Sequence, residues 1–246
     1  MRSPYGLEVV ERCEGCARAV EGSFCDLPEA ALSALDALKF TTVYPKGALL
    51  FVEGQPPRGV YVLCSGRVKL TATSSDARVI ITRIVEPGEI LGLRAALSCE
   101  PYEVTAETLE PCQINFVRGE EFLRFLSEHA EASLKVARQL GRDYHAALEQ
   151  VRMLGLSHSA AAKFARFLLE TGARAPRRNG CDATTPAASD RLKLTLTHEE
   201  IGQLIGASRE TVTRLFSEFK SERLIEVNGS TLLLNNRPAL QALANY

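Results

Sequence analysis

The sequence predicts an α+β chain in which an antiparallel β-roll (jelly roll) is followed by a long helix and a C-terminal winged helix-turn-helix. Three observations carry this. Closely spaced glycines with alternating apolar residues run from Thr41 to Phe116. An amphipathic stretch nearly free of glycine and proline runs from Gly119 to about Gly155, and a capped helix, a glycine turn and a second helix follow near residue 200. The 246 residues suffice for two ordinary domains, each with its own core. The expected boundaries are a cysteine-rich arm over 1–27, the β-roll over 28–118, the long helix over 119–155 and the winged helix-turn-helix over 156–246.

The arm opens "MRSPYGLEVVERCEGC", with charges where a signal peptide needs its apolar stretch, and no apolar run in the chain approaches the roughly 20 residues that span a bilayer. A cytoplasmic location is therefore expected. The cysteines are seven, an odd number, with Cys13, Cys16 and Cys25 in the first 25 residues and Cys64, Cys99, Cys112 and Cys181 scattered. In a cytosolic chain, clustered thiols suggest a metal or redox site more than disulfides.

In the β-roll, Gly47, Gly54, Gly59, Gly66, Gly88 and Gly92 punctuate apolar segments such as "ALLFV", "GVYVLCSGRVKL" and "VIITRIV", and the polar "TSSDAR" (Thr73–Arg78) reads as an exposed hairpin tip. In the long helix, Ala137, Leu140, Tyr144, Ala147, Val151 and Leu154 recur at intervals of 3, 4, 3, 4 and 3, the seam of a coiled-coil dimer. The alternative is an amphipathic helix packed on its own domain. A second helix over Ser159–Thr171 leads into "GARAPRRNGCDATTPAASD", whose Gly, Pro, Ala and charge mark a loop.

The segment "LTHEEIGQLIGASRETVTRLFSEFKSERLIEVNGSTLLL" is the most informative. Thr197 and Glu200 have capping-box spacing, Ile201, Leu204 and Ile205 form an inner face, and Gly206 supplies the stop. Ser208 caps a second helix with Val212, Leu215, Phe216 and Phe219 on one side and Arg209, Glu210, Thr213 and Arg214 on the other. An arginine fork matches guanine O6 and N7, and a glutamate accepts from the cytosine amino group, so this polar face suits base readout in double-stranded DNA. The competing reading is a solvated face of salt-bridging charges. The Asn-Gly of "LIEVNGSTLLLN" then turns a β-hairpin wing.

A net charge of −1 hides an asymmetry: residues 1–150 carry 16 basic and 21 acidic side chains, net −5, and residues 151–246 carry 13 and 9, net +4. The basic third permits nucleic-acid binding. Locally, residues 191–223 hold six basic and five acidic side chains, so nonspecific affinity is expected to be modest and salt-sensitive.

The order β-roll, long helix, helix-turn-helix and wing, together with "EEIGQLIGASRETVTRLF", resembles the bacterial CRP/FNR transcription regulators over about residues 25–240. The resemblance implies a sensor of the cyclic-nucleotide-binding type and a homodimer on a palindromic operator, its recognition helices in successive major grooves about 34 Å apart. By position, Arg209, Glu210 and Arg214 resemble the three base-reading residues of the cyclic-AMP receptor branch, which implies a half-site nearer TGTGA than TTGAT. In this family the turn equivalent to Ser74–Arg78 often touches RNA polymerase.

For the sensor, the resemblance places a ribose-binding Glu where this chain has Leu93, and a phosphate-binding Arg where "PYEVTAE" supplies Tyr102 and Glu103, with Arg94 the only nearby cation. An acidic residue there repels a phosphate, so cyclic AMP is not expected. The other candidate is Cys13-x2-Cys16-x8-Cys25 with a distant Cys112, four thiolates being the number that closes a [4Fe–4S] or [2Fe–2S] cluster. Cys112 in "LEPCQINF" aligns with the fourth cluster ligand of the oxygen-sensing branch, although the last N-terminal interval is longer than that branch's usual five. The same thiols suit zinc or a Cys13–Cys16 thiol switch, or form no site. Cys64 reads as a buried small hydrophobe, and Cys99 and Cys181 as loop residues. Other expectations are a regulator of this fold with a small apolar or nucleotide effector, and no catalytic function. A thiol oxidoreductase lacks its βαβ pattern, and His129, His145, His158 and His198 form no ligand pair.

Overall fold

The structure, a computed structural model, describes residues 5–16, 22–156, 159–174 and 191–244. His158, Cys181 and most of the predicted loop lie outside the described residues. The chain divides into two compact units, residues 1–147 and 148–246.

In the first unit, α1 (Glu29–Leu38) precedes β1 (Phe40–Tyr44), β2 (Leu49–Phe51), β3 (Gly59–Ser65), β4 (Val68–Thr73), β5 (Val79–Val85) and β6 (Ile90–Leu91). Then come α2 (Leu93–Ser98), β7 (Thr105–Thr108), β8 (Cys112–Arg118), α3 (Gly119–Glu128) and α4 (Ala130–Leu156). The strands form two antiparallel sheets, in the orders β1-β8-β3-β6 and β2-β7-β4-β5, which is the predicted β-roll. Alternation along each strand builds two cores. Between the sheets pack Phe51, Tyr61, Leu63, Val68, Val85, Ala106, Cys112 and Ile114. On the outer face of the first sheet, Val60, Val62, Ile90 and Val117 pack against Leu32 and Leu35 of α1, Phe122 and Phe125 of α3, Val136 of α4, and Cys13 and Phe24 of the arm.

The expected single helix over 119–155 is two helices. At His129 (φ −126°, ψ 92°) the backbone turns extended, its N–H closes α3 on the Phe125 carbonyl, and its own carbonyl accepts from Ala132 and Ser133. No glycine or proline marks the break. It lets Phe122 and Phe125 reach the sheet while Ala132, Val136 and Gln139 of the next helix bury their own face. Gln139, fully buried, accepts from the Ile90 N–H (2.9 Å) and donates to the Ile90 carbonyl (2.7 Å), satisfying the backbone of β6.

The second unit holds the end of α4 with α5 (Ala160–Arg174), β9 (Arg191–Lys193), α6 (His198–Ile205), α7 (Arg209–Ser221), β10 (Ile225–Asn228), β11 (Thr231–Leu234) and α8 (Arg237–Ala244). Its core joins Phe164 and Leu168 of α5 to Ile201, Ile205, Val212, Leu215, Phe216 and Phe219. The Phe164 ring meets Phe216 edge-on at 4.8 Å. The wing is a three-stranded sheet, β10-β11-β9. Its hairpin pairs Asn228 with Thr231, so Gly229 and Ser230 are the loop residues, one position later than an Asn-Gly turn. Gly229 takes φ +61° and its neighbours do not, the pattern of a type II′ turn.

Candidate functional site

The capping box forms as the spacing requires. Thr197 Oγ1 accepts from the Glu200 N–H (3.2 Å) and Glu200 Oε2 accepts from the Thr197 N–H (2.9 Å). α6 ends at Gly206 in the left-handed region (φ +67°). The turn then folds back on α6 so closely that a Cβ on Gly202 would stand 2.6 Å from the Ala207 carbonyl oxygen. Ser208 caps α7 by accepting from the Thr211 N–H (3.2 Å).

Val212, Leu215, Phe216 and Phe219 are buried, and Ser208, Arg209, Glu210, Thr213 and Arg214 are exposed on the opposite side. An exposed polar row at a helix start can enter a major groove. His198 was expected only at a surface or a cap. Its ring stacks on Phe216 (4.6 Å), and Nδ1 lies 2.9 Å from Thr213 Oγ1, so it holds a member of the polar row. Burial lowers its pKa below 6.5, with Arg209 and Lys220 adding to the effect.

Along α4, Ala137, Tyr144, Ala147 and Val151 of the expected seam are exposed, Tyr144 at 68% and Val151 at 67%. Leu140 and Leu154 are half-buried, Leu140 against the arm-side core. Leu134 (52%) and Leu148 extend the apolar stripe. The buried face is instead Ala132, Val136 and Gln139.

The arm is built against the outer sheet face. Gln113 of β8, fully buried, acts as a backbone mimic, accepting from the Val10 N–H (3.0 Å) and donating to the Val10 carbonyl (2.6 Å). Cys13 is fixed on three sides. Its N–H is shared by both Asp36 carboxylate oxygens (2.9 and 3.0 Å), and its Sγ accepts from Lys39 Nζ (3.3 Å) and Asn115 Nδ2 (3.7 Å). Lys39 is itself paired with Asp36 at 2.6 Å. Gly15 (φ +66°) lets the chain turn so that the Cys16 N–H reaches the Cys13 carbonyl (3.2 Å). After Cys25, Asp26 pairs with Lys135 of α4 (2.5 Å), and the arm's Phe24 packs on Phe122 and Phe125 of α3.

Of the four expected ligands, Cys112 does not meet the other three. Cys112 faces the interior between the sheets, where its thiol donates to the Arg67 and Glu110 carbonyls (3.4 and 3.1 Å). Successive side chains of a strand point to opposite faces. Gln113 and Asn115 meet the arm, and so Cys112 turns away from it. The thiol that lines a cavity with Cys13, Cys16 and Cys25 is Cys64, expected as a buried small hydrophobe and here half-buried. The four line one cavity of about 20 Å³ with Lys39 and Asn115.

Burial pushes Cys13 up to about 11 and Cys25 and Cys64 to about 12, with the neighbouring cysteines adding to the latter two. Among the described residues, no group of three or more His, Cys, Asp or Glu side chains could hold a metal ion as the side chains stand.

Arg94, the cation nearest the expected phosphate position, is exposed and engaged by Glu103 (3.0 Å), by Glu100 and by the Pro101 carbonyl (3.0 Å). Tyr102 is buried in the core between the sheets, where it stacks on Phe51 at 4.0 Å and donates to the Gly59 carbonyl (3.1 Å). The tip at Ser74–Arg78 is an exposed turn closed by Ser74 N–H to Arg78 carbonyl at 2.9 Å. Cys99 caps α2 and is exposed. Among the described residues no helix is long and apolar enough to cross a membrane.

Comparison with known proteins finds that residues 41–129 match the cyclic nucleotide-binding domain family and residues 162–243 the Crp-like helix-turn-helix domain family. The chain is 25% identical over 219 residues to a CRP-like cAMP-activated global transcriptional regulator of Mycobacterium tuberculosis, covering 89% of this chain and 94% of the relative. It is 29% identical over 213 residues to the transcriptional activator protein FnrA of Stutzerimonas stutzeri, covering 85% and 82%. Among solved structures, FixK2 from Bradyrhizobium japonicum superposes with a TM-score of 0.70 at 23% identity, covering 83% of this chain and 96% of that one.

Proposed function

We propose that the chain, whose two parts match the cyclic nucleotide-binding and Crp-like helix-turn-helix domain families, is a CRP/FNR-type DNA-binding transcription regulator, a homodimer reading a palindromic TGTGA-like site under control of an oxygen- or redox-sensitive iron–sulfur centre on its N-terminal arm. The observation that carries the DNA-reading part is the exposed row Arg209, Glu210, Thr213 and Arg214 on a helix whose other face is fully committed to the core. The exposed stripe of α4 supports the homodimer, since a helix packed only on its own domain has no reason to expose Tyr144 and Val151. RNA polymerase is the further partner proposed, through the exposed Ser74–Arg78 turn. No catalytic residue belongs to this reading.

Three of the four residues first assigned to the metal, Cys13, Cys16 and Cys25, stand around one cavity, and this donor set is soft and suits iron. A centre held there supplies reactivity toward oxygen and nitric oxide. The chain's own part is mechanical. Gln113 clamps Val10, Asp36, Lys39 and Asn115 fix Cys13, and Asp26 beside Cys25 pulls on Lys135 of α4, next to the exposed Leu134. An arm held by all these contacts favours one packing of α3 and α4, and so one dimer geometry; a released arm does not. The engaged Arg94 supports an effector other than cyclic AMP.

The test is fluorescence anisotropy with labelled duplexes, using protein purified without oxygen and then exposed to air. Expected are tighter binding to a TGTGA palindrome than to a TTGAT palindrome, weakening on exposure to air, and no response to cyclic AMP. Equal binding to random duplex would overturn the DNA-reading part. Colourless, iron-free protein whose binding ignores air would overturn the sensing part.

A further inference from the structure

We propose that the fourth thiol of the arm site is Cys64 and not Cys112, so that Cys13, Cys16, Cys25 and Cys64 form a four-thiolate ligand set for a thiophilic metal centre. The inference rests on the reading that the arm holds such a centre, and deepens it by naming this chain's ligands.

Two independent features of the sheet carry it. The first is parity. On β8, Cys112 and Ile114 point between the sheets, whereas Gln113 and Asn115 point to the arm, where they bond Val10 and Cys13. A one-residue slip of register would be needed to exchange them, and the five-pair β1–β8 ladder from Phe40↔Phe116 to Tyr44↔Cys112 fixes that register. The second is the outward row of β3. Val60 and Val62 face the arm and Tyr61 and Leu63 face the interior, so Cys64, next in the alternation and before Ser65 pairs with Gln113, continues the outward row and lines the cavity with the other three.

The polar neighbours complete the chemistry. Lys39 and Asn115 both donate to the Cys13 sulfur, the kind of outer contact that holds and tunes a metal-bound thiolate. The Lys39 ammonium also offsets part of the charge of four thiolates. Cys112 instead uses its thiol hydrogen on backbone carbonyls within an apolar interior. The four cysteines line one cavity, and as they stand they do not form a group that could hold a metal ion. An iron–sulfur cluster takes its thiolates at separate corners, whereas zinc draws four sulfurs to about 2.3 Å from one centre. In a cavity of about 20 Å³, either occupant requires cysteine rotation between staggered χ1 wells.

The experiment compares the full chain with Cys64→Ser, Cys64→Ala, Cys16→Ser and Cys112→Ser. Each is reconstituted without oxygen, using ferrous iron and sulfide in one arm and zinc alone in the other. Iron, sulfide and zinc are quantified, sulfur ligands are counted by X-ray absorption, and circular dichroism confirms folding. Expected are a four-sulfur centre in the full chain and in Cys112→Ser, and uptake lowered by more than about tenfold in the Cys64 and Cys16 variants, a larger loss than outer-contact changes cause. A zinc-only centre with the same Cys64 dependence supports the ligand set and overturns the iron–sulfur reading. Retention in both Cys64 variants with loss in Cys112→Ser overturns the ligand set alone. No metal uptake by the full chain overturns both.

Discussion

Single residues at the reading face make separable predictions. Arg209 and Arg214 are exposed with no structural partner that the fold needs, so Arg209→Ala and Arg214→Ala should leave the melting temperature unchanged. Each should cost about 1–3 kcal/mol of discrimination per half-site, measured as the ratio of affinities for matched and mismatched operators. His198 behaves differently because it is stacked on Phe216 and faced by Arg209 and Lys220, which hold its folded pKa below the ordinary 6.5. Above about pH 6.5 it is neutral in both folded and unfolded chains, and its contribution to stability is complete. As pH falls below that value the unfolded chain takes up a proton that the folded one resists, so stability declines toward the folded pKa. Thermal unfolding across this range should show the decline, and His198→Asn should flatten it; an unchanged profile would discard the assignment.

At the scale of elements, the apolar period of α4 is a local property of the chain, and Tyr144 and Val151 lie exposed where that period put them, while Leu140 and Leu154 are half-buried. Tyr144→Glu with Val151→Glu should therefore leave each folded unit intact by circular dichroism. The same change should turn a dimer into a monomer by sedimentation and abolish tight binding to a palindrome while sparing weak binding to a single half-site. The break at His129 was not legible. A helix normally stops at a glycine, a proline or a cap signal, whereas here two helices stop and start because their separate apolar faces, Phe122 with Phe125 and Ala132 with Val136, both have to reach the sheet. Capping box, glycine stop and the buried quartet of α7 were legible to the residue, since each depends on neighbours within four positions.

At the scale of the whole molecule, a sensor of net −5 and a reader of net +4 predict a binding free energy carried by placed contacts more than by bulk charge. The dependence of log affinity on log salt should accordingly be shallow, with a slope well short of the roughly −10 of strongly electrostatic repressors; a slope that steep, measured by anisotropy from low to moderate salt, would contradict the charge count. The sequence by itself determined the order of the elements and the polar and apolar faces of both reading helices, because each follows from short-range period and caps. Only the tertiary structure decided which cysteines meet. That choice depends on which faces of β3 and β8 the arm covers, set by pairing between strands some fifty residues apart, and strand parity sends Cys112 inward and leaves Cys64 beside Cys13, Cys16 and Cys25.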